Sequence, residues 1–124
     1  MPLVNHFAVV LYVIGVITAA PILIFLAPSA GLRALFKLEM ADEPGRFFVR
    51  HWGLLCFAIG AALVYAGLHA EVREPVVLGA MVEKAALVMM IALNWNRPFA
   101  RGMKLTAFFD GACSLIFAAW LLLH

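Results

Sequence analysis

Four long apolar stretches divide the chain, and short polar segments separate them. The stretches cover about residues 4–27, 47–68, 76–95 and 105–123. Each is close to the ~20 residues that a helix needs to cross a hydrocarbon core of about 30 Å. None alternates between apolar and polar positions as a membrane β-strand does, and backbone groups inside lipid must be satisfied internally. The pattern therefore predicts four transmembrane α-helices.

The composition agrees with that pattern and leaves little chain outside the membrane. Of the 124 residues, 66% are hydrophobic and 13% are charged. Soluble domains average about 45–50% apolar and about 25% charged residues. We therefore expect residues 1–124 to form a single transmembrane domain of the all-α class. Because two of the connections are short, we expect an up-down-up-down four-helix bundle.

The segment between the first two spans has a pattern of its own. Its apolar residues recur at helical spacing, and they are Leu32, Leu35, Phe36 and Met40. Arg33 and Lys37 lie on another side of the same helix, and Ser29 can cap its start. The pattern predicts a short amphipathic helix that lies in the membrane interface. Upstream of it, Pro21 is expected to kink the first span near its far end.

Basic residues are distributed very unevenly among the connections. One side of the predicted bundle carries Arg33, Lys37, Arg46, Arg50, Arg97, Arg101 and Lys104. The other side carries only Arg73. The positive-inside rule places the basic side in the cytoplasm. Both termini are therefore expected to lie outside.

Small residues form a regular stripe along the second span. Gly53, Gly60 and Gly67 recur every seven residues, which is close to two helical turns. Gly111 in the fourth span follows Ala107 at a spacing of four. Small residues at such spacings let membrane helices approach closely. The stripe therefore indicates helix packing, and the alternative is a groove for a lipid or quinone tail.

Ionisable residues inside the spans are the main candidates for a function. Glu83 and Lys84 lie near the middle of the third span, and Asp110 lies in the fourth. Arg50 and His51 lie one turn into the second span. Such a residue near the bilayer centre costs about 2.5–3.5 kcal/mol on insertion scales. These side chains are therefore expected to face the bundle interior and to find partners there.

The expected arrangement is a network. Neighbouring residues on a helix point about 100° apart, so Glu83 and Lys84 do not both face one neighbour. We expect Lys84 or Arg50 to meet Asp110, and Glu83 to meet another polar group. Ser114 shares the face of Asp110 at a spacing of four and can extend the network. Such a network either fixes helix register or forms a proton relay, a head-group anchor or a redox cofactor pocket.

Evidence for metal, catalytic or nucleic-acid chemistry is slight. His6 and His69 fall at the outer ends of spans, but no metal-ligand spacing supports a site there. The two cysteines, Cys56 and Cys113, lie in apolar runs and are expected to be buried free thiols. The sequence contains no familiar catalytic motif. A formal charge of +2 is too small to indicate a nucleic-acid partner.

Several short motifs together resemble a known family. They are Ala20-Pro21 in the first span, Arg50-His51-Trp52-Gly53 and Gly60 in the second, Arg73-Glu74-Pro75 and Lys84 in the third, and Asp110-Gly111 in the fourth. The whole chain resembles the small bacterial four-helix membrane proteins of the DoxX-like group. The resemblance implies a four-helix bundle in the bacterial inner membrane, with Arg50, Lys84 and Asp110 as its intramembrane polar positions. Some members are associated with quinone-linked oxidoreductases or thiol oxidation, but this chain has no C-x-x-C pair.

Three functional hypotheses remain open on the sequence. The first is a non-catalytic membrane protein, either an accessory subunit or a binder of a lipid-like or quinone-like molecule at the polar network. The second is a small homodimeric proton-coupled transporter that uses Glu83. The third is a redox membrane subunit that binds quinone or haem. The bilayer is the expected partner, together with a membrane protein or a second copy, and the sequence specifies no cofactor.

Overall fold

The computed structural model describes residues 6–124 of the chain and is 87% helical, with no strand in that range. Four helices are long and apolar enough to cross a membrane, and they are Phe7–Leu26, Glu43–Leu68, Ala70–Leu93 and Pro98–Leu123. The prediction of an all-helical chain with four candidate membrane spans is confirmed. Residues 4 and 5, where the first span was expected to begin, lie outside the described residues.

The helices are numbered here in chain order. They are α1 (Phe7–Ala19), α2 (Ile22–Leu26), α3 (Pro28–Phe36), α4 (Glu43–Leu68), α5 (Arg73–Leu93) and α6 (Lys104–Leu123). Two 3₁₀ turns, Ala70–Val72 and Pro98–Met103, precede α5 and α6. The first candidate span therefore consists of two helices, α1 and α2.

The first span is broken at Pro21, as the sequence predicts. Proline has no amide hydrogen, so it cannot continue the hydrogen-bond ladder of a helix. The chain tightens instead. The Ala20 amide donates to the Ile17 carbonyl at 3.1 Å, and the Ile24 amide donates to the Pro21 carbonyl at 2.9 Å. The break therefore separates α1 from α2 within one candidate span.

Helix α4 begins four residues before the predicted start of the second span. Asp42 is its N-cap, and the Asp42 carboxylate accepts a hydrogen bond from the Gly45 amide at 2.8 Å. Pro44 lies in the first turn, where a missing amide hydrogen costs nothing. The capping side chain therefore extends the helix into the polar segment that precedes the apolar stretch.

Helix α3 forms where a short helix was predicted, but its ends differ from the prediction. Ala27 is the N-cap, no side chain caps it, and Pro28 occupies the first turn. The expectation that Ser29 caps the helix is therefore wrong. The helix ends at Phe36 because Lys37 adopts a left-handed conformation with φ of 54°. Met40 consequently lies outside the helical face to which it was assigned.

The helices pack mainly in two pairs. Helices α1 and α2 lie along α4, α5 lies along α6, and α4 contacts α5 between the pairs. At one end, Phe7 of α1 stacks on Trp120 of α6, with ring centres 4.4 Å apart. Phe7 also meets Phe117 edge-on at 6.3 Å. These three rings join the first span to the last at that end.

The glycine stripe of α4 faces the first span. A side chain at Gly60 would collide with the Gly15 carbonyl and would approach the Ala19 amide to 2.7 Å. Gly53 lies equally close to the Pro21 carbonyl, and Gly67 lies against the ring of Tyr12. The absence of side chains along this stripe lets α4 approach the first span closely.

Gly111 does not make the close approach that its pattern suggested. A methyl group on Gly111 would meet no described atom within 4 Å. The reason is the angular step of the helix: Asp110 is buried, and the next residue is rotated by about 100° away from that face. An unpredicted close approach occurs at Gly102, which lies against the Phe36 backbone and joins the turn before α6 to α3.

Candidate functional site

A cavity of about 400 Å³ lies where the broken first span, α3, α4, α5 and α6 converge. Its apolar wall includes Ile17, Pro21, Leu35, Phe36, Leu87, Leu105 and Phe109. Its polar lining comprises Thr18, Trp52, Cys56, Glu83, Lys84, Thr106 and Asp110. The three charged residues come from adjacent helices α5 and α6. The cavity therefore combines a mainly apolar wall with one charged region.

Lys84 and Asp110 form a buried ion pair across α5 and α6. The Lys84 Nζ atom lies 3.0 Å from Asp110 Oδ1, and the two side chains are only 2% and 6% exposed. The same ammonium lies 5.1 Å from the centre of the Phe109 ring, within cation–π range. The pair agrees with the expectation that Asp110 meets a basic residue. Of the two candidates that the sequence left open, the partner is Lys84.

Two polar atoms of other residues in the cavity lining have no partner. Glu83 Oε2 and Thr18 Oγ1 are both buried, and neither makes a hydrogen bond with any residue in 6–124. Thr18 is 7% exposed and lies on α1 close to the Pro21 break. A buried polar atom without a partner is uncommon in folded proteins and costs roughly 1–3 kcal/mol. Glu83 and Thr18 are therefore the two residues of the cavity lining that have unmet hydrogen-bonding capacity.

Arg50 and His51 lie apart from the cavity, unlike the predicted network. The Arg50 Nε atom donates to the Phe25 carbonyl at 3.0 Å, and its guanidinium lies 5.3 Å from the centre of the Phe25 ring. The reason is the early end of α2, which leaves carbonyl groups without helical partners. His51 is exposed and does not line the cavity. Neither residue is brought together with Lys84 and Asp110.

Ser114 lies one turn beyond Asp110, as its spacing requires. Its hydroxyl donates to the backbone carbonyl of Asp110 at 2.8 Å, not to the carboxylate. Serine in a helix commonly bonds back to the carbonyl four residues earlier. Ser114 therefore does not extend the charged network.

The histidines do not converge on a metal centre. His6 is exposed, and His69 Nδ1 lies 3.8 Å from a carboxylate oxygen of Glu71. Within residues 6–124, no three His, Cys, Asp or Glu side chains come together as a metal site. The described cavity lining also includes no histidine.

Sequence reasoning missed the contribution of Thr18, Trp52 and Cys56 to the cavity. Thr18 carried a usable signal, because it is a hydroxyl in an apolar span, three residues before a proline. Trp52 and Cys56 lie one turn apart on α4, and only the packing of α3 and α5 against that helix reveals their common wall.

The site has the general character of a small-molecule pocket, with an apolar wall and a few convergent polar groups. Its volume of about 400 Å³ falls within the range of roughly 300–1,000 Å³ that is typical of such pockets. In comparisons with known proteins, the chain matches no family model, no curated protein and no solved structure.

Proposed function

We propose that this chain is a non-catalytic integral membrane protein that binds a lipid-like or quinone-like molecule in the cavity, alone or as an accessory subunit of a larger membrane complex. The head group lies at Glu83 and the Lys84–Asp110 pair, and the tail lies along the apolar wall. The observation that carries the proposal is the cavity itself. It places a buried ion pair and an unpartnered carboxylate oxygen at the side of an apolar pocket.

The membrane arrangement is part of the proposal. The four spans form an up-down-up-down bundle in a bacterial inner membrane, as the DoxX-like resemblance implies. The basic connections face the cytoplasm, and both termini lie outside. Packing of α3 against the turn Pro98–Met103 supports this, because it brings the basic residues of both segments to one end of the bundle. Helix α3 then lies in the cytoplasmic interface.

The ligand enters sideways from the bilayer, between the first and fourth spans. These spans are joined by Phe7, Phe117 and Trp120 at the end away from the cavity. Beside the cavity, Ile17 on α1 and Leu105 on α6 are 46% and 80% exposed. Exposed apolar residues at both edges suit an opening toward lipid, so the ligand's tail extends into the hydrocarbon.

The test is native mass spectrometry of the full chain released from a neutral detergent. We expect a fixed mass increment on the parent protein, and its loss in Thr106→Trp, which fills the cavity from α6. Ala112→Trp is the matched control, because Ala112 lies exposed on the same helix and does not line the cavity. The control is expected to retain the increment. Bare chains with only random adducts in the parent would contradict the proposal.

A second candidate is the homodimeric proton-coupled carrier, which the position of Glu83 favours. A carboxylate that lines a cavity and has an unpartnered oxygen can exchange a proton for a cation. In proteoliposomes that contain a pH-sensitive dye, an ethidium gradient would then drive proton flux. Glu83→Gln should abolish that flux, whereas Glu71→Gln, at an exposed carboxylate, should not. Equal flux in both variants would remove Glu83 from any transport mechanism.

A further inference from the structure

We infer that the cavity prefers a head group that donates hydrogen bonds, above all a primary ammonium, to one that is a carboxylate or a phosphate. The inference rests on the proposed function, because it names the class of amphiphile that the same cavity takes. It follows from two independent features of the lining: its balance of charge and its unpartnered polar atoms.

The charge balance of the lining disfavours an anion. Three charged side chains line the cavity, and two of them, Glu83 and Asp110, are carboxylates. The single cation, Lys84, is already engaged by Asp110 at 3.0 Å and by the Phe109 ring. The guanidinium of Arg50 is bonded to the Phe25 carbonyl and does not line the cavity. An anionic head group would thus face two carboxylates without a free cation.

The unpartnered atoms point to a hydrogen-bond donor. Glu83 Oε2 is an acceptor when the carboxylate is ionised, and the Thr18 hydroxyl can accept as well as donate. An ammonium carries three donors and no acceptor, so it can pair with Glu83 and still donate to a second acceptor of the lining. A hydroxyl carries a single donor and can serve only one of them as a donor. A carboxylate offers no donor, and it would leave Glu83 unpaired.

Aromatic side chains in the wall add to the preference. Trp52, Phe36 and Phe109 all line the cavity. The faces of such rings attract cations, most strongly where water is excluded. Together with the charge balance and the unpartnered atoms, these rings give an order of affinity for chains of equal length: amine first, alcohol second, carboxylate last.

The experiment compares three amphiphiles that differ only in the head group. Dodecylamine, dodecanol and dodecanoate are titrated onto the full chain in a neutral detergent, and bound ligand is counted by native mass spectrometry. We expect the amine to bind at least about tenfold more tightly than the carboxylate, with the alcohol between them.

Glu83→Gln tests the residue that carries the preference. The variant keeps the size of the side chain but removes its charge, and we expect it to weaken amine binding about tenfold while changing alcohol binding little. Glu71→Gln is the control, and it should bind all three ligands as the parent does. Thermal unfolding of each variant shows whether the fold is retained.

The outcomes separate the inference from the function on which it rests. If the carboxylate binds as tightly as the amine, or if Glu83→Gln keeps the full preference for amine, the head-group inference is wrong. If all three ligands bind equally and Thr106→Trp excludes them, the cavity binds amphiphiles but does not select among them. If none binds above random detergent adducts, the proposed function fails together with the inference.

Discussion

Single residues decide the chemistry of this molecule, and the Lys84–Asp110 pair is the clearest case. Its two side chains are almost fully buried, and they join α5 to α6 at 3.0 Å. A buried ion pair contributes little net stability, but the loss of one partner leaves an uncompensated charge. The pair therefore links the fold to the site, because the same two groups line the cavity.

Asp110→Ala should destabilise the protein by about 3 kcal/mol, because Lys84 is left buried without its counter-charge. The measurement is thermal or denaturant unfolding in detergent. The double variant Lys84→Met with Asp110→Leu should recover most of that loss, since similar volumes are kept and no charge remains. If Asp110→Ala unfolds like the parent, the folded protein does not need Asp110 as the counter-charge of Lys84.

Arg73 has a structural role at the C-terminal end of α4. Its Nε and Nη2 atoms donate to the carbonyls of Ala66 and Gly67, both at 2.8 Å, where the helix leaves those groups unpaired. We expect Arg73→Ala to cost about 1–3 kcal/mol in unfolding free energy. Arg97→Ala, at an exposed arginine, is the control and should change little. Equal melting temperatures for the two variants would contradict this role.

For single residues, the sequence predicted which charged side chains are costly to bury but not which partner each of them contacts. The expense of burying Lys84 and Asp110 indicated that they need partners, and the structure pairs them. Arg50 was an equal candidate by charge and depth. It bonds elsewhere because α2 ends at Leu26 and leaves the Phe25 carbonyl without a helical partner, and no local pattern reports that geometry.

At the scale of the helices, close approach between α4 and the first span shapes the cavity. Gly60 and Gly15 face each other across that contact, and the Pro21 break lies just beyond it. The break contributes to the cavity directly, since Ala20 and Pro21 are part of its lining. Gly60 and Gly67 of the glycine stripe keep α1 packed closely against α4.

Gly60→Val should therefore destabilise the protein by about 1–3 kcal/mol, because the added carbons collide with the backbone of α1. Gly111→Val is the matched control, since open space surrounds that position. Unfolding of both variants in detergent provides the comparison. Similar melting of the two variants would show that the α1–α4 contact is looser than described.

Hydropathy located the helices well and their ends less well. The predicted end of the second span, residue 68, is the last residue of α4. Its start was placed at residue 47, and α4 begins at Glu43 because Asp42 caps it. Glycine spacing was informative on α4 but not at Gly111, because spacing alone does not say which face of α6 meets a neighbour.

For the whole molecule, the distribution of basic residues predicts the orientation in the membrane. Single cysteines at Glu71 and at Arg101 should therefore behave differently in spheroplasts. We expect a membrane-impermeant maleimide to label Glu71→Cys directly, and Arg101→Cys only after permeabilisation. The native Cys56 and Cys113 are buried and can remain in place. Labelling of Arg101→Cys in intact spheroplasts would contradict this orientation and would indicate the opposite one.

The cavity itself could not be predicted from the sequence, because its wall comes from five helices whose packing no local pattern encodes. What the sequence predicted was the presence of expensive charges within four apolar spans. The structure adds that Glu83, Lys84 and Asp110 line one pocket, and that Thr18 joins them.

The most direct test is photo-crosslinking with an amphiphile that carries a diazirine beside its head group, followed by peptide mapping of the labelled chain in a bilayer. Binding in the cavity predicts label concentrated on its wall, around Trp52, Cys56 and Thr106. Competition by unlabelled amphiphile should remove that label. Label spread over exposed apolar residues such as Met90 and Leu115, with none on the cavity wall, would contradict the proposal.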